Sequence, residues 1–280
     1  MIIVKKIDEI KAIIEKNKKL GKKIAFVPTM GSLHDGHLSI IDKANSLADI
    51  TIVSIFINKQ QFNDKNDYEK YPREIEMDIL KLSKNNVEIL FCPDDLELYP
   101  NEPSFVISLT KFNDCLCAKY RANHFNGVCL VLAKFFNILK PNYGLFGKKD
   151  FQQYLIVKKM VEDFNYDIKI IGVETHRELS GLAMSSRNKR LSDDALKKAS
   201  SIFRVLNDIK NEIIFSDNLE TLLQNKKNEL IKIGFEKIDY LELREENNLD
   251  LVTTFKLGSN VRIFIALYIE SIRLIDNLKI

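Results

Sequence analysis

With 280 residues, 45% of them hydrophobic and 29% charged, the chain has the make-up of a globular protein of one large or two smaller domains. A formal net charge of only +3 argues against a nucleic-acid partner or an anionic membrane surface. No tract is apolar enough to span a bilayer, and the charge-laden N-terminus lacks a signal-peptide core, so a cytoplasmic location is expected.

Ile7, Ile10, Ile13 and Ile14 recur at helical spacing and predict an opening amphipathic helix. Short apolar runs then alternate with helical patterns. Strands are expected at 24–27, 51–57, 87–91, 143–146 and 167–173, and helices at 36–47, 73–84, 125–139 and 151–164. Such alternation predicts a parallel sheet covered on both faces, with ligands beyond the carboxyl ends of its strands. From about residue 176 the pattern changes. Helices are expected at 195–214 and 219–233, and strands at 238–243, 261–269 and 272–278. The fold class expected is therefore α/β: a Rossmann-like parallel-sheet domain over 1–175 and a smaller α+β domain over 176–280. The four cysteines, Cys92, Cys115, Cys117 and Cys129, lack zinc-site spacing and read as reduced, mostly buried thiols.

Four stretches could carry chemistry. The first is PTMGSLHDGH, residues 28–37, at the exit of the first predicted strand. Gly36 admits close approach to the backbone, and the helix beginning there favours an anion at its N-terminus. His34 and His37 share one face of its first turn, where imidazoles could donate to phosphate oxygens. A metal half-site or a pair of solvated cap residues would use the same spacing. The second is IFINKQQF, residues 55–62, in which Asn58 and Gln61 are uncharged amides able to orient a small hydroxy acid, or simply to form a turn. The third is FGKKDFQQ, residues 146–153. Gly147 permits tight approach, Lys149 could neutralise a phosphate, Asp150 could cap the helix or accept from a ribose hydroxyl, and Gln153 lies one turn on. The fourth is GLAMSSRN, residues 181–188, where Ser185, Ser186 and Arg187 form a donor-rich loop suited to phosphate or to a plain surface turn. Arg121 and His124, in RANHFNGV, stand just before the long apolar helix, as site or cap residues.

Taken together and in this order, PTMGSLHDGH, SIFIN-x-x-QF, YPR, HFNGV, FGKKDFQQ and GLAMSSRN closely resemble the pantoate–β-alanine ligase family. The first motif corresponds to the HIGH signature of the nucleotidyltransferase superfamily, and MSSRN to its KMSKS-like counterpart. The resemblance implies ATP-dependent adenylation of D-pantoate, release of pyrophosphate, and attack of β-alanine on the pantoyl adenylate to release AMP. It implies that His34, His37, Lys149, Ser185, Ser186 and Arg187 act on the triphosphate. It places Pro28, Met30, Gly36, Val173 and Met184 around the nucleotide, and Gly147 and Asp150 at the ribose. Gln61 and Gln153 would hydrogen-bond pantoate, and Asn58 and Arg121 would join them in binding pantoate or β-alanine. Mg²⁺ would accompany ATP, with Asp78 as a candidate ligand, and the partners would be small molecules and a second copy in a homodimer. The rival reading is another small-molecule adenylyl- or cytidylyltransferase of the same superfamily. Three positions depart from the family pattern: Lys59 replaces a proline, Lys148 a glutamate and Asn123 a glycine. Lys59 restores conformational freedom and an N–H to its loop, and Lys148 adds positive potential.

Overall fold

Continuous runs of β-branched and aliphatic residues form strands here because both of their faces are covered. The computed structural model describes residues 1–63 and 65–280. In chain order the elements are β1 (Ile2–Val4), α1 (Ile7–Lys19), β2 (Ile24–Thr29), α2 (Asp35–Asn45), β3 (Ile50–Ile55), α3 (Lys65–Glu69), α4 (Ile75–Lys84), β4 (Ile89–Phe91) and α5 (Asp95–Leu98). There follow α6 (Leu116–Tyr120), α7 (His124–Leu139), β5 (Tyr143–Gly147), α8 (Phe151–Asp163) and β6 (Lys169–Val173). The chain ends with α9 (Asp193–Ala199), α10 (Ser201–Glu212), α11 (Leu219–Ile233), β7 (Lys237–Glu245), β8 (Val261–Ile269) and β9 (Ile272–Lys279). One-turn 3₁₀ segments stand at Lys59–Gln61, Lys148–Asp150, Ser186–Arg190 and Ile213–Phe215.

Two compact units result. The first comprises residues 1–111, 121–148 and 153–174. Its sheet is entirely parallel, in the order β1-β4-β3-β2-β5-β6. The chain builds outward from β2 through β3 to β4, then returns to place β5 on the other side of β2. The strand order therefore reverses between β2 and β5, the place where open α/β sheets leave a crevice for ligands. On one face Ala25, Val27, Val53, Leu90 and Leu145 pack with Leu33, Ile41 and Leu82. On the other, the Phe26 ring meets Phe135 and Phe136 of α7 at centroid distances of 5.4 and 6.4 Å. Burial from both the sheet and α1 is why α7 is apolar almost all round.

The second unit comprises 112–120, 149–152 and 175–280. An antiparallel sheet β7-β8-β9 packs with α9, α10 and α11 around Val205, Leu206, Ile209, Leu230, Ile263 and Ile265. Residues 112–120 and 149–152, expected in the first domain, group here for a physical reason. Buried Gln152 accepts the Cys117 N–H at 2.9 Å and donates to the carbonyls of Phe112 and Cys115 at 3.0 Å each. The Phe151 ring lies against Phe264 and beneath the Arg262 guanidinium.

Two further differences from expectation have local causes. β1 has two of its three residues exposed, so no hydrophobic period announces it; pairing with β4 makes it a strand. The single helix expected over 195–214 is interrupted at Ser200 and Ser201, whose hydroxyls donate to the carbonyls of Lys197 and Lys198 at 2.6 Å each and compete with the helical ladder. Cys115, Cys117 and Cys129 are buried thiols and Cys92 is half-buried. Burial pushes the Cys115 thiol up to about 11 and the Cys129 thiol up to about 12.

Candidate active site

The chain leaves β2 through a turn with two successive left-handed residues, Gly31 at φ +80 and Ser32 at φ +51. For a residue with a Cβ this conformation costs roughly 1–2 kcal/mol, so it must be held. Thr29 Oγ1 donates to the Ser54 carbonyl at 2.7 Å and accepts the Gly31 N–H at 3.2 Å. The buried Asp78 carboxylate, reaching in from α4, accepts the N–H groups of Ser32 and Leu33, one per oxygen, at 2.7 Å each. Lys81, one helical turn on, donates to the Leu33 carbonyl at 2.5 Å. Asp78, the candidate metal ligand, thus has both oxygens committed to backbone donors. Among the described residues no group of three or more His, Cys, Asp or Glu could hold an ion.

The turn delivers His34 to the N-cap of α2 in extended conformation, with its ring centroid 4.1 Å from that of His37. The His34 N–H donates to His37 Nδ1 at 3.3 Å. Because Nδ1 accepts there, the neutral His37 ring carries its proton on Nε2, as a donor. Pro28, Met30, Gly36 and His37 are all half-buried around this helix start.

The amide turn after β3 is the 3₁₀ segment Lys59–Gln61. Asn58 is buried and its amide is fully used. Its oxygen accepts from the Gln60 N–H and the Tyr99 hydroxyl, and its nitrogen donates to Gln61 Oε1 at 3.1 Å and the Gly127 carbonyl at 3.1 Å. Burial raises the Tyr99 pKa, so the hydroxyl keeps its proton. Gln61 Nε2 donates to Met30 Sδ at 3.0 Å, which brings the amide turn and the histidine turn together. The segment sits on α7 at a point where only glycine fits: a Cβ on Gly127 would lie 2.2 Å from the Gln60 carbonyl oxygen. A second tie comes from His124. Arg121 can only donate, so the 2.9 Å contact makes His124 Nε2 an acceptor, and its Nδ1–H donates to the Gln61 carbonyl at 2.7 Å. The departures from the family pattern find places here. Asn123 precedes α7 at φ +60, a left-handed conformation that asparagine tolerates better than most residues. Lys59 opens the 3₁₀ turn that Asn58 caps.

Beyond the carboxyl ends of β2, β3 and β4 lies a cavity of about 310 Å³, lined by Met30, Gly31, Phe56, Arg73, Asp78 and Asp94 among others. Its size suits a small metabolite. Arg73, of the YPR motif, donates to the carbonyls of Tyr68, Glu69 and Tyr71 and so staples the cavity's loop. At the neighbouring edge, β5 ends at Gly147 and β6 at Val173, paired in register. Lys148 forms an ion pair with Glu174, so its positive charge is matched locally. Gln153 stands in the first turn of α8.

Lys149 and Asp150 belong to the second unit. Their side chains are 3.9 Å apart, and the Lys149 carbonyl accepts from Asn277 Nδ2 at 2.8 Å. Asn277 is held by Arg262, which is paired in turn with Glu246. The loop bearing Met184, Ser185, Ser186 and Arg187 is closed by an antiparallel bridge between Arg177 and Ala183. Arg177 forms a two-pronged ion pair with buried Asp276 at 2.6 and 3.0 Å and donates to the Gly181 carbonyl. Asn188 donates to the Ala183 carbonyl and to Glu178. Ser185 caps the 3₁₀ turn that follows by accepting the Arg187 N–H at 3.2 Å. Lys81, Asn188, Arg177 and Asn277 escaped the sequence reading. Each acts through a backbone group tens of residues away or in a turn with no periodic signal.

The family model for pantoate–β-alanine ligase matches residues 2–279. The chain belongs to this pantoate–β-alanine ligase family. A pantothenate synthetase of Caldicellulosiruptor saccharolyticus is 42% identical over 281 residues, covering 100% of this chain and 99% of that protein. The crystal structure of pantothenate synthetase from Thermus thermophilus superposes with a TM-score of 0.92 at 32% identity, covering 100% of this chain and 99% of the other. That of the Francisella tularensis ligase, complexed with β,γ-ATP and β-alanine, gives a TM-score of 0.84 at 39% identity, with 100% and 97% coverage. The six-stranded parallel sheet and the small antiparallel C-terminal sheet are the architecture of pantoate–β-alanine ligases.

Proposed function

We propose that the chain condenses D-pantoate with β-alanine to pantothenate, consuming ATP and releasing AMP and pyrophosphate. The observation that carries this reading is the paired His34 and His37 at the N-terminus of α2, beside the β2/β5 switch, in a chain that matches the ligase family from end to end. A pantoate carboxylate oxygen attacks the α-phosphorus of ATP, and the bond to pyrophosphate breaks. The β-alanine amine then attacks the adenylate's acyl carbon, the bond to AMP breaks, and the amine loses a proton.

Neither step requires a nucleophilic side chain, so positioning and charge stabilisation carry the catalysis. His34 and His37 Nε2 donate to phosphate oxygens as negative charge builds on them, assisted by the helix N-terminus. Lys149, Ser185, Ser186 and Arg187 supply further donors and positive charge to the triphosphate. Pro28, Met30, Gly36, Val173 and Met184 wall the nucleotide, and Gly147 and Asp150 meet its ribose. Gln61 and Gln153 hydrogen-bond pantoate. Asn58 and the Arg121–His124 pair support Gln61 from behind, which accounts for their use of amide and ring atoms on scaffold groups.

The described residues offer no protein cage for Mg²⁺. It would arrive on ATP, held by phosphate oxygens and water. A homodimer and a cytoplasmic location complete the reading, on the family resemblance. The test is product detection from ATP, D-pantoate and β-alanine, dropping out each in turn, together with pantoate-dependent ATP–pyrophosphate exchange. Pantothenate formed only in the full mixture supports the reading. Exchange that ignores pantoate overturns it.

A further inference from the structure

We propose that Asp78 is a positioning residue for adenylation: its carboxylate fixes the Ser32–Leu33 peptide and so sets where His34 stands. The inference rests on the reading above, that a triphosphate binds at the His34–His37 helix start.

The geometry makes the carboxylate hard to replace. Two consecutive N–H groups converge on it at 2.7 Å each, one per oxygen. Ser32, which supplies one of them, is held at φ +51, and Gly31 before it at φ +80. A Cβ on Gly31 would sit 3.0 Å from Asp78 Oδ2, so glycine is what lets the carboxylate close on the turn. Lys81 takes the Leu33 carbonyl at 2.5 Å, so Leu33 is gripped at both its polar backbone groups by side chains of a single helix, α4. His34 follows immediately, and its own N–H and carbonyl are already engaged with His37. The imidazole pair therefore takes its position from the segment that Asp78 and Lys81 hold.

Electrostatics separates this role from substrate binding. An anion close behind a triphosphate site opposes ATP rather than attracting it. Only a carboxylate, however, offers two acceptor oxygens to two donors; an asparagine in its place would turn an NH₂ toward one of the N–H groups. Asp78 thus serves placement at the expense of nucleotide affinity, and misplacement of about 1 Å can lower a rate by roughly a hundredfold.

The experiment compares wild type with Asp78→Asn and Lys81→Met, using steady-state kinetics, pantoate-dependent ATP–pyrophosphate exchange and thermal unfolding. For Asp78→Asn the expected result is an exchange kcat at least about tenfold lower, with the apparent KM for ATP unchanged or reduced. Lys81→Met, which removes the carbonyl contact together with a positive charge, should show a smaller kcat loss, whatever its KM for ATP. It carries the test if Asp78→Asn does not fold. An unchanged kcat overturns the proposal. So does a loss that merely tracks the unfolded fraction, or, in Asp78→Asn, one that appears as a raised KM for ATP. Absence of exchange in wild type would instead remove the functional reading itself.

Discussion

At the scale of single residues, two rings of the candidate site have their proton positions set by neighbours. His37 has its Nδ1 occupied as an acceptor and His124 its Nε2, so each ring has a defined tautomer before any substrate enters. His34→Ala and Lys149→Ala are each expected to lower turnover at least about tenfold, roughly 1.4 kcal/mol of barrier, measured as kcat for pantothenate formation. Near-normal turnover in either would remove that residue from the phosphate contacts. Gln61→Ala should act differently. Its side chain spans Met30 and Asn58 rather than the helix start, so the expected effect is a raised KM for pantoate with the KM for ATP little changed. Equal effects on both substrates would contradict the assignment. These candidates stand out in the sequence because their chemistry is unusual in a turn: two of four histidines, paired amides, a lysine at a strand exit. Asp78 was visible as a candidate metal ligand but not as the acceptor of two peptide N–H groups. Its partners lie 45 and 46 positions away, and no local spacing tells a carboxylate that binds peptide N–H groups from one that binds a cation.

Among the elements, those buried on two sides could be read directly. The runs that became β2, β3 and β5 are continuous and apolar, and α7 is apolar nearly all round because it is enclosed. Elements that depend on hydrogen bonds, such as edge strand β1 and the break between α9 and α10, left no such trace. The seat of the amide turn on α7 is a sharper case, since a single absent Cβ decides it. Gly127→Ala would press a methyl into the Gln60 carbonyl. A destabilisation of about 1–3 kcal/mol is expected in denaturant unfolding, with poorer use of pantoate as Gln61 shifts. A variant as stable and as active as wild type would show that the turn does not need this contact. In the antiparallel sheet, burial works against ionisation of Glu246, but hydrogen bonds from Lys279 and Arg262 outweigh it and hold the carboxyl below its usual range. A lowered folded pKa gives stability that is fully present above the unfolded value, near about 4.3, and lost as pH falls through the folded one. The Tm gap between wild type and Glu246→Gln should therefore be open at neutral pH and close below about pH 4. A gap that widens in acid would reverse the sign.

For the molecule as a whole, the parallel sheet was legible as strand–helix alternation, and the smaller C-terminal sheet as the loss of that rhythm after residue 176. No described helix is long and apolar enough to cross a membrane. What the alternation could not disclose is that 112–120 and 149–152 fold with the C-terminal residues, since packing of Gln152 on Cys117 and of Phe151 on Phe264 joins positions far apart in the chain. A fragment of residues 175–280 lacks both partners. Expressed alone, it should unfold with weak cooperativity and bind a hydrophobic dye. A sharp, two-state transition would show that the missing segments are dispensable.

That interleaving has a consequence for how such a protein can change over time. No single cut in its gene separates the two halves, so neither can be lifted out and spliced to a foreign partner without leaving a hole where four or nine borrowed residues used to be. Lys149 is itself one of the four, rooted through its carbonyl in the last strand. A graft of either unit must therefore carry several separate segments of the chain along with it.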